Sequence, residues 1–447
     1  MRIILIGITL FALFFGAGNL IFPVMLGQLA GDHFDLAALG FVITGVMMPL
    51  LGVMAVGFSG ERDFLKIAQR CGMVFGLIFA TTLYLTIGPL FAMPRTGSVS
   101  YEIALKPFVD EESNSIYLAI FTICFYGICC FLALNPRKFI DIVGKFLTPV
   151  KITFILILIL AALIFPMGEM LPAVNADYQN LPFFTGFTQG YLTMDTLASL
   201  VFGIIVVQSI MNYGIKDKTK IMIACFKASL IAGAILAFFY ISLVYMGATS
   251  VTKLGILENG GQILARVSTY YFSAWGNLIL GIMVTVACMT TNIGLTNACA
   301  NYLVSLYPKL SYRQYAVIFS VVSALFANIG LTSLISFSVP VLSIIYPVTI
   351  VLIILMFFHP LFNGRKSVYV GAIYLTLLTS ILFEIDSVME PGSKLSNYLP
   401  NVAKIFQQLN DLLIAHLPLY EQGLGWIIPA LIGAVLGYIY TKCVVKK

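Results

Sequence analysis

Charge is what this chain has least of. Only 10 % of its residues are Asp, Glu, Lys or Arg, against 60 % hydrophobic, where a soluble domain carries about 25 % charged. Across 447 residues there are 25 basic and 19 acidic side chains, or 44 charges. A globule of this size could not cover its surface with so few without exposing wide apolar patches. A soluble enzyme, a disordered chain and a nucleic-acid binder are excluded on that ground. Histidine is scarce as well. His33, His359 and His416 form no pair at metal-binding spacing, and no G-x-x-x-x-G-K-[ST] segment exists to cradle a nucleotide. No apolar run carries the regular arginines of a voltage sensor, and no cluster of catalytic groups points to an enzyme. The eight cysteines fall in apolar runs or in the loops of one side. The loops of the other side hold none, which excludes an external disulfide, and zinc-type spacing is missing.

What is present is long continuous apolar sequence, with a mean hydropathy of +1.00. A membrane-crossing helix needs roughly 20 such residues. Twelve runs qualify: 3–26, 36–58, 73–93, 115–134, 146–165, 186–211, 222–246, 275–304, 314–328, 332–358, 367–384 and 424–442. A membrane β-barrel would instead show alternating ten-residue strands. The first run is too long for a signal peptide and no small-residue cleavage site follows it. The loops on the N-terminal side hold 17 basic residues, among them Arg62, Lys66, Arg70, Lys218 and Lys447. The opposite loops hold six: Arg95, Lys106, Lys253, Arg266, Lys394 and Lys404. The positive-inside rule then places both termini in the cytoplasm. Two outer segments show helical spacing. Residues 396–417 read as an amphipathic helix and 258–272 as a shorter one. Each is either a surface-packed loop helix or an outer lid.

Three charges remain inside apolar runs: Lys151, Lys227 and Asp195. Both lysines stand near a cytoplasmic helix end, where the ammonium can snorkel to water. Asp195 lies deeper, where an ionisable group is a functional candidate; a structural hydrogen bond to a neighbouring helix is the competing reading. Helix-breaking sequence accompanies it. The first run reads Phe14-Phe15-Gly16-Ala17-Gly18-Asn19-Leu20-Ile21-Phe22-Pro23, and the sixth reads Asp195-Thr196-Leu197-Ala198-Ser199-Leu200-Val201-Phe202-Gly203. Gly, Asn and Pro are poor helix formers. Broken helix in a membrane is tolerated where it lines a cavity or is buried in protein, and a small-residue packing face is the alternative. Runs one and six each open a block of five, and interruptions at matching places in two halves point to a transporter site. The eighth run adds Thr290, Thr291, Asn292, Thr296 and Asn297. These are hard oxygen ligands suited to Na⁺, or interhelical hydrogen-bonding groups.

Four segments, Leu10–Pro23, Gly88–Glu102, Gly190–Gly203 and Thr290–Tyr302, resemble the bacterial branched-chain amino acid:cation symporter family. The resemblance runs over essentially all twelve spans. It implies an all-α membrane protein with the LeuT-like fold of the amino acid–polyamine–cation superfamily. A single domain, 1–447, would hold a first inverted repeat (1–165), a second (186–358) and two further helices (367–447). It implies uptake of leucine, isoleucine and valine with Na⁺, or H⁺ in some members, across the bacterial cytoplasmic membrane. The expected partners are the branched-chain amino acid and the lipid bilayer, with no nucleic acid, organic cofactor or obligatory protein partner. By resemblance, Phe15, Gly16, Ala17, Gly18 and Asn19 form an unwound segment whose N–H groups hold the substrate carboxylate. Asn19 would also offer an oxygen to a cation. Thr196, Ser199, Leu200, Phe202 and Gly203 belong to an unwound sixth helix whose carbonyls take the ammonium, with Phe202 walling an apolar pocket. Thr290 and Thr291, with the backbones of Ala287, Ala12 and Phe15, match a second sodium site. Lys151 borders that site. If its ammonium replaces Na⁺ there, as in some relatives of this fold, the transporter is proton-coupled or uncoupled. Asp195 would tune the cation site or relay a proton. An amino acid sensor with a transporter fold, and a channel, are the other classes. The short inner loops leave little for a signalling domain, and the polar residues cluster at mid-depth with no continuous pore.

Overall fold

The computed structural model describes residues 2–61, 63–134, 148–212, 214–215, 217–388 and 400–444, and among them every regular element is helical. Eight stretches are long and apolar enough to cross a membrane, including Gly18–Ser59, Thr219–Leu254, Gly260–Leu306 and Leu331–Phe358. Four apolar helices are shorter: Ile3–Phe14, Ile152–Ile164, Tyr312–Ala327 and Ile427–Cys443. Some long stretches contain more than one segment. Gly18–Ser59 turns at Gly31, where φ is +52°, before Phe34–Val42 begins. Gly260–Leu306 turns at Ser273, with φ +58°, which separates the outer 258–272 segment from the eighth run. Helix Pro400–His416 covers most of the other outer segment. Its first residues, 396–399, lie outside the described residues.

Burial follows the membrane logic. Along Asn114–Ala133, Ile116, Ile120, Ile123 and Phe131 stand exposed, while Leu118, Phe125 and Cys129 are buried. An apolar stripe turned outward has no stable counterpart in water but is suited to lipid. Small residues let the inner helices approach. A Cβ on Gly27 would lie 1.9 Å from the Val244 carbonyl oxygen, and one on Gly247 would lie 2.0 Å from that of Val24. These reciprocal contacts dock the second half of the first segment, Gly18–Ala30, on Lys218–Leu254 at backbone distance, the small-residue packing common in membrane bundles.

Some of the polar connections lie at the two ends of the bundle. At one end Asp32 donates its N–H to Leu171 O (3.0 Å), Thr252 donates to Glu169 O (2.7 Å), and Asn259 Nδ2 bonds Glu102 (2.9 Å) and Thr332 (3.2 Å). At the other, Arg70 pairs with Glu61 at 3.5 Å and Tyr312 donates to Ala133 O at 3.0 Å.

Two segments differ from the expected pattern. The third does not stop at 93. Met73–Leu85 passes through a wide turn at Thr86–Leu90 and continues as Ala92–Ala104. Gly88 and Pro89 cause the bend, because Gly88 adopts a non-helical φ/ψ of −95°/−128° and proline cannot donate to the helix ladder. Arg95, assigned above to an outer loop, is therefore in a buried helix, only 3 % exposed. Removing it leaves the outer loops five basic residues in place of six, against 17, so the asymmetry persists. In the sixth segment, Ser199–Gly203 is not unwound. It lies inside helix Asp195–Asn212, and the break falls earlier, at Gly190–Met194.

Candidate functional site

Three helix breaks meet at one cleft. The first is Phe15–Ala17, between helices Arg2–Phe14 and Gly18–Ala30. Phe15 still donates to Phe11 O at 2.8 Å, but Gly16 N turns to Phe14 O (2.6 Å) and to the Asn19 Oδ1 (3.1 Å). None of the backbone bonds around the break is accepted by Ala12 or Leu13, so their carbonyls are released from the ladder. Helix Gly18–Ala30 then starts with no side-chain cap on its first N–H groups, and Gly18 and Asn19 are buried. A buried, uncapped helix start is a favourable place for an anion.

The second break is Gly190–Met194. Met194 has a left-handed φ of +63°. Thr193 donates to Gly190 O at 2.9 Å and accepts from Asp195 N at 3.3 Å, so its hydroxyl caps the new helix. The second segment holds this break in place. Its wide turn Ile43–Met47 presents Thr44, which donates to Phe187 O at 2.6 Å and accepts from the Thr196 hydroxyl at 3.1 Å. Gly190 makes the approach feasible, since a Cβ there would lie 2.0 Å from Thr44 Oγ1. The third break is the Gly88–Phe91 bend. Beyond it, Tyr126 donates its hydroxyl to Met93 O (2.9 Å) and Pro94 O (2.7 Å) and accepts from Gly97 N (3.1 Å). Asn292 of the eighth segment bonds Thr96 at 3.1 Å. These contacts fix the turn of helix that carries Arg95.

The cleft is a narrow cavity of about 50 Å³. One polar group in it is a buried triad. Asn19 Nδ2 donates to Asp195 Oδ2 and to Tyr240, and the Tyr240 hydroxyl donates to Asp195 Oδ2 at 3.0 Å. Arg95 is the other. Its Nη1 donates to Leu192 O at 2.5 Å, and its guanidinium carbon lies 4.7 Å from the Phe22 ring centre. The remaining wall is apolar: Leu13, Phe14, Ile87, Ala198, Phe202 and Leu295. Phe14 and Phe202 face each other with ring centres 5.8 Å apart. Such a cleft offers opposite charges at its polar side and a branched aliphatic surface beyond them.

The expected site residues divide. Gly16, Ala17, Gly18, Asn19, Asp195, Phe202 and Thr291 line the cleft. Phe15 turns away and packs between Phe11 and Phe239, with ring centres 4.9 Å from each. Thr196 is occupied by Thr44 and by Tyr346, whose hydroxyl accepts its N–H at 3.3 Å. Ser199 donates to Thr196 O at 2.6 Å and abuts Gly52, where a Cβ would lie 1.9 Å from Ser199 Oγ. Gly203 meets Val56, and Leu200 is fully buried. These side chains pack helix Asp195–Asn212 on the second segment and leave the cleft to Ala198 and Phe202. The reason is helical phase: with the break at Met194, positions 195, 198 and 202 share one face. Thr290 and Thr291 both donate to Ala287 O, at 2.7 and 3.2 Å. Thr291 lies against the first break, its Cγ2 3.7 Å from where a Gly16 Cβ would stand. Ala12 is in the last turn of Arg2–Phe14. Lys151 falls within helix Thr148–Ile164, but its side chain is outside the described residues.

Among the cleft residues that escaped the sequence reading are Arg95, Phe14, Thr193 and Met194. Arg95 was hidden because Pro94-Arg95-Thr96-Gly97-Ser98-Val99-Ser100-Tyr101-Glu102 is too polar to extend an apolar run. The signal was its run of small residues after a Gly-Pro bend, which marks a helix packed closely on all sides.

Residues 1–444 match the family described as branched-chain amino acid transport protein. The branched-chain amino acid permease BrnQ of Bacillus subtilis is 49 % identical over 437 residues, covering 98 % of this chain and 96 % of that protein. BraB of the same organism, also a branched-chain amino acid permease, is 46 % identical over 98 % of this chain and 95 % of its own. The Escherichia coli permease BrnQ is 38 % identical, with coverages of 98 % and 95 %. Among solved structures, Mhp1, a nucleobase-cation-symport-1 family transporter in a closed conformation with bromovinylhydantoin bound, aligns with a TM-score of 0.60. It has 14 % identity and covers 98 % of this chain and 92 % of its own. The inward-facing conformation of Mhp1 gives 0.61, with coverages of 98 % and 90 %. At that identity the likeness speaks for the fold, which is that of a LeuT-like transporter.

Proposed function

The chain belongs to the branched-chain amino acid transport protein family, a multi-pass membrane transporter and not an enzyme, and we propose that it takes up leucine, isoleucine and valine by cation symport through alternating access. The observation that carries this reading is the convergence of the first and sixth helix breaks on one cleft, with an uncapped helix start, a buried carboxylate and a phenylalanine-lined wall. The uncapped N–H groups of Gly18–Ala30 favour a carboxylate. Carbonyls of the sixth-segment break and Asp195 favour an ammonium. Phe14, Phe202, Ile87 and Leu295 suit a branched aliphatic side chain. Such a pocket separates aliphatic side chains by only about 1–3 kcal/mol per methylene, so overlapping uptake of all three is expected.

The twelve apolar segments all cross the membrane in this reading, with both termini cytoplasmic and the protein in the bacterial inner membrane. Segments one to five and six to ten form the inverted repeats, and two helices follow. The coupling ion is Na⁺, taken as co-substrate by Thr290 and Thr291 with the carbonyls of Ala12, Phe15 and Ala287, and by Asn19 beside the substrate. The Asn19–Asp195–Tyr240 triad favours a second reading, H⁺ coupling through Asp195. Lys151 supplies the charge of the second cation site in an uncoupled variant. Leucine uptake into proteoliposomes under separately imposed Na⁺ and H⁺ gradients tests the proposal. Concentrative uptake under one gradient supports it and names the ion; none under either rejects symport.

A further inference from the structure

Arg95 is a permanent charge that makes no ion pair among the described residues. It is 3 % exposed. Of its five N–H donors, one has a partner among the described residues: Nη1 bonds the Leu192 carbonyl. Nε and Nη2 are buried and have no hydrogen-bond partner among the described residues. No described carboxylate forms an ion pair with it; Asp195, which lines the same cleft, is instead engaged by Asn19 and Tyr240. Burying a charge without a counter-ion is strongly unfavourable. Nor is the side chain loosely placed. Tyr126 and Asn292 hold its helix turn, Phe22 stacks near its guanidinium, and Gly18 makes room: a Cβ there would stand 3.0 Å from Nη1.

We infer that the missing anion is the carboxylate of the transported amino acid, gripped by Arg95 Nε and Nη2 as a two-pronged pair beside the uncapped start of helix Gly18–Ala30. The Nε–Nη2 edge of a guanidinium matches the two oxygens of a carboxylate, and Nη1 stays on Leu192 O. Arg95 thus joins the substrate to the sixth-segment break. The zwitterion has its anionic end on Arg95 and its cationic end toward Asp195. This deepens the proposed function and rests on its claim that the cleft binds an amino acid. It makes Arg95 a specificity residue that selects for a free α-carboxylate.

The test uses the purified full chain, with binding read by thermal stabilisation and by competition against labelled leucine. Leucine is compared with leucinamide, which keeps the ammonium and side chain but lacks the carboxylate charge. The wild type is expected to bind leucinamide about 100-fold more weakly, the scale of losing one partner of a buried charge pair. Arg95→Gln is expected to lose leucine affinity by a similar factor while its leucinamide affinity changes less than threefold, and Arg95→Lys falls between. A wild type that binds both ligands equally overturns the clamp, and this holds even if every Arg95 variant fails to fold. Wild-type leucine affinity in a folded Arg95→Gln also overturns it. A wild type that binds none of leucine, isoleucine or valine overturns the functional reading itself, a result separate from either of these.

Discussion

Replacing Asp195 by Asn separates coupling from folding. The two donors that converge on Asp195, from Asn19 and Tyr240, share a single oxygen, Oδ2. An asparagine can place its carbonyl oxygen there and keep both bonds at nearly the same volume. Hydrogen bonds to a charged acceptor are worth about 1.5–3 kcal/mol and neutral ones about 0.5–1.5, so over two bonds the fold loses about 2–3 kcal/mol and survives. What disappears is the negative charge that holds a cation, or the carboxyl that carries a proton. One cation moving down 100 mV supplies about 2.3 kcal/mol, and a tenfold gradient supplies about 1.4 kcal/mol more. Together they support roughly 500-fold accumulation of leucine. Asp195→Asn is expected to bring accumulation in proteoliposomes to about one while leucine–leucine exchange continues at zero potential. The assay follows labelled leucine under an imposed gradient, then in counterflow. If Asp195→Asn accumulates leucine like the wild type, the charge plays no part in coupling and the triad is structural.

Other perturbations test separate parts of the argument. Asn19→Leu strips Gly16 N–H and Asp195 of their buried partner, at about 1–3 kcal/mol for each group left unsatisfied; ion-dependent uptake should fall more than expression, and unchanged uptake rejects Asn19 as a site residue. Phe202→Ala opens the wall opposite Phe14, so leucine should bind about tenfold more weakly and phenylalanine should begin to compete, as inhibition of labelled leucine uptake would show. Gly27→Ala forces a methyl to 1.9 Å from a backbone oxygen and should cost 3 kcal/mol or so by overpacking. Gly127→Ala, in a helix with nothing within 4 Å, should gain about 0.5–1 kcal/mol; thermal melts in detergent that ranked the two the other way would refute the packing. Lys151→Ala should leave the Na⁺ or H⁺ dependence of uptake unchanged, and its loss would put the ammonium at the second cation site.

Most of the architecture was legible because a membrane leaves few choices. Apolar runs of about 20 residues must be helices, since no water satisfies their backbone groups, and among the described residues helix covers most of each of the twelve runs read from the sequence, apart from the breaks. The first-segment break was legible in part: Gly16-Ala17-Gly18-Asn19 advertises it in residue type, but it covers Phe15–Ala17, and Gly18 and Asn19 already belong to the next helix. The sixth was not. Its break at Gly190–Met194 uses only one glycine and a left-handed methionine, and its stability comes from Thr44 and Tyr346 on other segments. No local sequence shows such support. The nine-residue shift of the break, from Ser199–Gly203 to Gly190–Met194, turned Ser199 and Gly203 off the cleft and brought Thr193, Met194 and Ala198 to it.

Arg95 shows why a hydropathy reading tends to miss the residues that matter most in such a protein. Apolarity measures what faces lipid. Helix Ala92–Ala104 faces other helices on nearly every side, with eleven residues from Met93 to Ile103 buried. Relieved of contact with lipid, it can carry an arginine, a glutamate and four hydroxyl side chains, Thr96, Ser98, Ser100 and Tyr101, with Asn292 bonding Thr96. A substrate with two charged ends needs such groups at mid-depth. The helix that supplies them must therefore be among the least apolar in the chain, and a positive charge that apolar-run counting assigns to an outer loop is the side chain to examine first for contact with the substrate.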